Sequence, residues 1–312
     1  MRAAIVPRYG PPSVARLVDL PTPEPRAGQV LVRVAAAAVN SGDARMRSGS
    51  FPRGFGVVAR LAIGMRGPRR RVLGTALSGT VEAIGEGVAE LAVGDEVAGM
   101  PNRLGGHAEL ASVRAKDFVR KPAGVSHDAA AAVLFGGTTA MHFLLDVAGL
   151  RAGQTVLVIG ASGAVGTSAV QVARLAGARV TGVASTGNAE LVRRLGAERV
   201  IDYARSPVER LDERFDVVVD TVGGTTASRT RLLAEGGTLL QVLATLGQTV
   251  TARGRVKAGV ASVRPEHMRQ LLAQVASGEL DPVVQALPLA EIARAHEIVD
   301  SGRKVGNLVV NP

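Results

Sequence analysis

The sequence predicts an α/β chain in which a doubly wound parallel sheet with a dinucleotide site is joined to a smaller β-rich domain. Three observations carry that expectation. From Thr155 onward, short apolar runs alternate with helical stretches, the pattern of parallel strands joined by crossover helices. The first of those runs ends in a glycine turn and then becomes helical, over Thr155–Gly177 (TVLVIGASGAVGTSAVQVARLAG). The first 120 residues instead show β-type patterning punctuated by glycine turns. A length of 312 residues suits two ordinary domains better than one.

Strand, tight turn and helix start together present unpaired backbone N–H groups and the positive end of a helix, a geometry that binds phosphate. Val165, Ala169, Val172, Ala173 and Ala176 fall on one helical face. The spacing Ala161-x-Gly163-x-x-Gly166 is the dinucleotide fingerprint with alanine at its first glycine. In such a turn Gly163 lets the backbone approach a pyrophosphate, and Gly166 lets helix and strand pack closely. Ser162, Gly163, Ala164, Val165 and Gly166 are therefore assigned to a dinucleotide site, against the alternative of a plain strand-to-helix turn.

The remaining elements follow in order. Ala3–Val6 and Val14–Leu17 read as short strands and PTPEPRAGQ as a loop. Val30–Val39 is a buried strand that ends at Asn40 and turns into a helix for which Ser41 or Asp43 is a suitable cap. Arg47–Arg71 is a long connection without clear periodicity. Leu73–Ala98, His107–Val113 and Phe118–Arg120 complete the β-rich domain, and Ser126–Gly149 is helical with a break at Gly136-Gly137-Thr138-Thr139. Beyond it the strands are Thr155–Ile159, Val180–Ala184, Arg199–Ile201, Phe215–Asp220 and Thr238–Leu243. The helices between them are Val165–Ala176, Ala189–Leu195 and Thr225–Ala234. After Pro265 come helical stretches Glu266–Ala276 and Leu289–Val299 and a last strand, Gly306–Val310.

Composition removes several classes of function. The chain has no cysteine, which excludes disulfides, thiolate nucleophiles and cysteine-ligated zinc. Every apolar run of bilayer-spanning length, about 18 residues, is interrupted by a charge or a glycine turn, so no membrane association is expected. MRAAIVPRYGPP has no apolar h-region, and a cytoplasmic location is expected. The net charge of +10 comes mostly from scattered arginines. With 3% aromatic residues there is no stacking platform for bases, and no nucleic-acid partner is expected. The one basic cluster, Arg66-Gly-Pro-Arg69-Arg70-Arg71, is either a solvated loop or a guide for an anionic cofactor or substrate.

Further motifs run in order along nearly the whole chain. They are Tyr9-Gly10-Pro11, VLVRVAAAAVN ending at Asn40, Gly74–Gly79 with Val81 and Gly85, Gly94-Asp95-Glu96-Val97 and Gly105–Glu109. They continue through GGTTA at Gly136–Ala140, the glycine turn, Ala184–Asn188, LGAERVIDY, FDVVVDTVGG and the C-terminal GELDPVV…PLAEIARAHEIVDSG. Together they resemble the medium-chain dehydrogenase/reductase superfamily, in its zinc-free quinone-oxidoreductase-like branch. The resemblance implies a GroES-like substrate domain from residues 1–120 and 265–312, and a Rossmann nucleotide domain from 121–264. It also implies a coenzyme in the cleft between them and a homodimer formed through the nucleotide domain's edge near Thr238–Val263.

Residue roles follow from the same likeness. Asn40 and Thr138 line the nicotinamide side and Tyr9 flanks the substrate, making these three the catalytic candidates. Asn40 is equally a helix cap, and Thr138 equally a satisfied turn residue. Tyr203, ending VIDY, lines the adenosine phosphate, or is simply half-buried at a strand end. Four departures stand out: Ala76 for an aspartate, Ala164 for a glycine, Phe135 for a proline, and Asn307 for the usual lysine of the last strand. Asn307 is nonetheless counted with the coenzyme residues.

An NAD site places an acid at the end of the second strand. No Asp or Glu occurs from Val147 to Ala189, and the expected position falls near Ser185. NADP(H) is therefore expected over NAD(H), with Ser185, Thr186 and Asn188 at its ribose phosphate. Gly187 stands where the branch often has a cation, for which Arg193, Arg194 or the 66–71 cluster would substitute. His107 and His142 lack partners at ligand spacing, so no zinc is expected. Without a Lewis acid, alcohol oxidation is disfavoured. Hydride delivery to a quinone or an α,β-unsaturated carbonyl is easier, because the acceptor delocalises the incoming charge. The alternatives are an enoyl-thioester reductase and a non-catalytic NADP(H)-binding sensor or scaffold.

Overall fold

The computed structural model describes all residues, Met1–Pro312. The first half contains β1 (Arg2–Ile5), β2 (Arg16–Asp19), β3 (Gln29–Val39), α1 (Ser41–Ser48), α2 (Gly56–Ile63), β4 (Leu77–Ile84), β5 (Glu96–Gly99), β6 (Leu110–Arg114) and β7 (Phe118–Arg120). A long helix, α3 (His127–Met141), runs on as a π-helical turn to Val147. The alternating part follows: β8 (Thr155–Ile159), α4 (Ala164–Leu175), β9 (Arg179–Ala184), α5 (Ala189–Arg194), β10 (Arg199–Asp202), β11 (Phe215–Asp220), α6 (Thr226–Thr230), β12 (Leu233–Gln241), α7 (Leu246–Thr251) and β13 (Val256–Ala258). The chain closes with α8 (Pro265–Ala276), β14 (Val284–Pro288), α9 (Ile292–Asp300) and β15 (Asn307–Asn311).

Two sheets dominate. One has the order β14-β15-β3-β4-β5-β7, with β6 also on β3, and is antiparallel except for the β14–β15 pair. The long strand β3, nearly all apolar over VLVRVAAAAV, can serve three neighbours because it is buried along almost its whole length. The second sheet is six parallel strands in the order β10-β9-β8-β11-β12-β13. Its order reverses between β8 and β11, the topological switch point at which such sheets bind ligands beyond their carboxyl ends. The expected α/β class, with one β-rich and one doubly wound domain, is what the chain forms.

Helix α3 lies between the two domains and touches β3, β15, α4 and α8. No break occurs at Gly136–Thr139; the helix runs straight through. Those glycines are there for close packing. A methyl on Gly136 would collide with the Ala164 carbonyl oxygen, and one on Gly137 would come within 2.7 Å of the Leu271 side chain. Helix continuity also explains Phe135, since a proline there would remove a helical hydrogen bond. The span His127–Val147 is long and apolar enough to cross a bilayer, yet 67% of its apolar window is buried inside the fold.

Other elements differ from expectation for local reasons. α2 sits inside the stretch read as a connection; Val57, Val58 and Leu61 on it are exposed, so no amphipathic pattern announces it. The helix expected over 225–234 is only α6, because Leu232 and Leu233 are buried as the chain enters β12. Pro265 begins α8, whose Met268, Leu271 and Leu272 belong to the core shared with β8 and α4. The return to the antiparallel sheet therefore falls at β14, later than the expected boundary at 265.

Candidate functional site

The turn after β8 is built by backbone contacts. Gly160 takes φ +82°, a left-handed conformation suited to glycine. Ala161 is fully buried and follows that residue, which explains why alanine serves at the fingerprint's first position. A methyl on Gly166 would overlap the Gly160 carbonyl oxygen and come within 2.8 Å of Ala161 Cα. Gly163 is the N-cap of α4 without a capping side chain, so the first-turn N–H groups at Ala164, Val165 and Gly166 have no intrahelical acceptor. These amides, with the dipole of a 12-residue helix behind them, fit a pyrophosphate.

Two outside segments hold the turn. Asn188 Nδ2 donates to Ser162 Oγ at 3.2 Å, and the Gly306 N–H donates to the Ser162 carbonyl at 2.9 Å. Asn307 does not offer its side chain to the cleft: its amide donates to Pro282 O at 2.7 Å and is buried. The cation nearby is Lys304, whose Nζ donates to Gly306 O. Burial lowers its pKa to about 8, and no carboxylate pairs with it.

At the end of β9, Ser185 is half-buried and Thr186 exposed. The Thr186 hydroxyl donates to Asp202, which stands beside Ala184 because β10 pairs in parallel with β9. An acid thus does reach the end of β9, from the neighbouring strand. Proximity in sequence gave no hint of it. The Thr186 hydroxyl, then the Ala204 N–H, hold the Asp202 carboxyl below its ordinary pKa, and Arg205 lies 3.7 Å away. Tyr203 follows at the strand end, with an exposed ring.

Beyond β11 and β12 the two domains face each other across a cleft of about 680 Å³, lined from one side by Arg45, Phe51 and Arg53 and from the other by Gly224, Thr225 and Leu243. The Leu246 N–H donates to the Arg53 carbonyl at 2.9 Å, a main-chain bond across the divide. Sequence reasoning missed the device that shapes the far wall. Asp220, fully buried at the end of β11, accepts from the Val222 and Gly223 N–H groups at 3.0 and 2.9 Å and from Arg229 Nε at 3.1 Å. That arrangement fixes the 221–224 turn.

Each of the three catalytic candidates makes hydrogen bonds within the fold. Asn40 is the N-cap of α1: its Oδ1 accepts from the Gly42 and Asp43 N–H groups, its Nδ2 donates to Thr75 Oγ1 at 2.5 Å, and Asp43 completes the capping box. The cap is thus Asn40, with neither Ser41 nor Asp43 in that position. The Thr138 hydroxyl donates to Leu134 O at 2.7 Å. The Tyr9 hydroxyl donates to Gly64 O at 2.6 Å, with Arg60 over its ring, and burial raises its pKa. Tyr9 therefore props the segment that carries α2. The hydroxyl protons of Tyr9 and Thr138 are thus both committed to main-chain carbonyls.

Nowhere do three His, Cys, Asp or Glu side chains converge as metal ligands. His107 Nε2 donates to the Ala38 carbonyl, 2.9 Å away, and the ring lies edge-on to His296; His142 pairs with Asp146 at 3.3 Å. The residues present do not fit a zinc centre.

A doubly wound sheet with a glycine turn at its switch point, facing an antiparallel sheet domain across a cleft, defines a two-domain dinucleotide-binding scaffold. The "Alcohol dehydrogenase GroES-like domain" family matches residues 26–123, and the "Zinc-binding dehydrogenase" family matches residues 195–310. An NADPH-dependent alkenal/one oxidoreductase of Arabidopsis thaliana is 30% identical over 100% of this chain and 80% of its own length. A quinone oxidoreductase of Pseudomonas aeruginosa is 32% identical over 97% of each chain. The solved quinone oxidoreductase of Coxiella burnetii superposes with a TM-score of 0.90 at 30% identity, covering 100% of this chain and 99% of that one. The chain belongs to the medium-chain dehydrogenase/reductase superfamily, in its quinone-oxidoreductase-like branch.

Proposed function

We propose that this protein is an NADPH-dependent, metal-independent reductase that transfers hydride to quinones or α,β-unsaturated carbonyl compounds. The observation that carries the reading is the Gly160–Gly166 turn at the switch point, with Gly160 packed against Thr221 and Val222 of the turn that runs on into the wall of the interdomain cleft, in a chain where no metal-ligand set forms. The reduced nicotinamide, when bound, supplies the hydride. The chain's own residues then bind and orient. Ala164, Val165 and Gly166 offer amides to the pyrophosphate, Ser162 and Asn188 lock the turn, and Ser185 and Tyr203 flank the adenosine ribose. Positioning of the acceptor in the cleft supplies most of the acceleration. With the hydroxyls of Tyr9 and Thr138 both donating to main-chain carbonyls, the proton comes from water.

The preference for NADPH is supported by a hydroxyl at Ser185, by the turning of Asp202 toward Thr186 and the Ala204 N–H, and by Arg205 beside it. The proposal includes a cytoplasmic homodimer joined along the β13 edge, where Val250, Val260 and Val263 are exposed. Its test is direct. Titration of purified protein with NADPH and NADH should show tighter binding of NADPH, and NADPH absorbance should fall when a quinone or an enal is added. Absence of binding to either coenzyme, or binding with no oxidation by any quinone, enal or enoyl thioester, would sink the reading.

A further inference from the structure

The cleft between the domains holds two cations that nothing in the chain neutralises. Arg45 lies on α1 and is half-buried, and burial alone lowers its pKa, with no acid offsetting it. Its guanidinium makes no hydrogen bond and no ion pair; Arg53, which lines the same cleft, is exposed and likewise has no partner in the chain, so the cost of burial falls on Arg45 alone. The other arginines in similar settings are paired. Arg47, two residues along and fully buried, meets Asp300 at 2.5 Å, and Arg229 meets Asp220 and Glu209. Withdrawing an ammonium or guanidinium from water without a partner is costly. A low-dielectric cleft lined by one sign of charge also concentrates field on whatever enters.

The remaining polar groups of the cleft are already occupied. Thr225 Oγ1 donates to Ser228 Oγ, and Thr226 Oγ1 to Gln241 Oε1. Gln248 donates to Gly224 O and accepts from the Thr245 N–H. The available side-chain donors are thus the two guanidiniums and the Ser50 and Thr245 hydroxyls, Thr245 Oγ1 accepting from the Gln248 N–H without donating in turn.

We infer that Arg45 and Arg53 bind an anionic group on the electron acceptor, so that the preferred substrates are unsaturated carbonyl compounds carrying a carboxylate or phosphate away from the reacting bond. This inference rests on the proposed reductase reading. The coenzyme's own phosphates are the other source of negative charge, but its fingerprint turn follows β8 and its ribose end lies over β9 and β10. The arginine cleft opens beyond β11 and β12, on the opposite side of the switch point. The basic cluster at Arg66–Arg71, expected to guide an anion, does not line this cleft.

A matched pair of acceptors tests it: 10-oxo-trans-8-decenoate and its methyl ester, which share one reacting end and differ in remote charge. NADPH oxidation by the wild type should favour the acid about tenfold in kcat/KM, mainly through KM, the scale of one charge-assisted bidentate contact. Arg45→Gln should bring acid and ester to parity, Arg45→Lys should restore part of the preference, and Arg53→Gln should reduce it. Thermal unfolding separates a structural role from a binding one. Removing an unpaired charge leaves the Tm of Arg45→Gln equal to or above that of the wild type, whereas a structural arginine would lower it.

Equal use of acid and ester by the wild type overturns the inference. So does a rise in the NADPH dissociation constant of Arg45→Gln by the same factor as the KM for the acid, which would assign the cations to the coenzyme. If neither acceptor nor any simple quinone oxidises NADPH, the reductase reading fails. Titration of the acid and the ester into the NADP⁺-loaded protein then still decides the anion site, which is overturned if Arg45→Gln binds the acid as tightly as the wild type.

Discussion

The coenzyme turn and the surroundings of α1 are built by different means. Around Gly160–Gly166 the geometry is set by main chain against main chain, with Gly166 on the Gly160 carbonyl and Gly136 of α3 on the Ala164 carbonyl. Around α1 it is set by buried polar side chains. Asn40 caps the helix, Asp43 accepts from the Asn40 and Gly74 N–H groups, Arg47 reaches Asp300, and His107 meets His296 edge to face. The first region has no room for a methyl at Gly166 or Gly136; the second depends on the pairing of Asp43 and Arg47. The comparison teaches that a site for a phosphate chain can be made from glycine and amides alone.

The largest expected effect comes from the backbone-built side. Gly166→Ala puts a methyl into the Gly160 carbonyl oxygen and against Ala161 Cα, and neither atom belongs to a flexible side chain. Stability should fall by roughly 4 kcal/mol or more, and NADPH binding should be lost, read by thermal unfolding and coenzyme titration. Gly187→Ala, where nothing lies within 4 Å of the added methyl, should be close to neutral. Equal behaviour of the two variants would break the comparison.

Next comes the buried ion pair that shapes the far wall of the cleft. Asp220→Ala leaves Arg229 buried with only the Glu209 contact, and frees the Val222 and Gly223 amides. Removing one partner of such a pair costs about 3 kcal/mol. Because the 221–224 turn lines the cleft, catalytic efficiency should fall further than stability accounts for. A variant that unfolds earlier yet keeps full kcat/KM on the folded fraction would show that the turn has no positioning role.

The same division explains what was legible in the sequence. The β8 turn could be read because glycine spacing reports backbone geometry directly, as could the strands Thr155–Ile159 and Phe215–Asp220, which match residue for residue. Gly136 and Gly137 were visible but misread: a glycine that makes room for a neighbouring helix looks the same, in one dimension, as a glycine that ends its own. Asp202 beside the end of β9, Asp220 under the cleft wall, and the contrast between unpaired Arg45 and paired Arg47 depend on partners 9 to 253 residues away, and no local pattern records them. α2 escaped because its apolar side chains face outward.

On the side-chain-built side, His296 gives a pH signature. It is fully buried, neither ring nitrogen has a partner, and burial, then His107 and Arg47, push its pKa down to about 3. The unfolded chain therefore binds a proton near pH 6.5 that the folded protein refuses. Stability is present above that pH and is lost as pH falls toward 3, at about 1.4 kcal/mol per pH unit. Asp43, raised by burial, works in the opposite sense at the acid end. His296→Leu isolates the first effect: it should flatten the acid limb of the stability profile and raise stability at pH 7 by about 1 kcal/mol. An unchanged acid limb would mean that His296 is not buried uncharged.

The smallest expected effect separates a prop from a catalyst. Tyr9 was the one candidate with chemistry suited to proton donation, but its hydroxyl donates to the Gly64 carbonyl while its ring packs on Gly49 and under Arg60. Tyr9→Phe keeps the ring and removes one hydrogen bond, so stability should fall by about 1 kcal/mol. The segment carrying Phe51 and Arg53 into the cleft loses one of its anchors, and KM should rise by less than about tenfold with kcat nearly constant. A general acid would behave otherwise: its loss would lower kcat by about a hundredfold or more and remove an alkaline limb from the pH–rate profile. Steady-state kinetics of this one variant across pH therefore decide whether the α1 side of the cleft takes part in chemistry or only holds the acceptor in place.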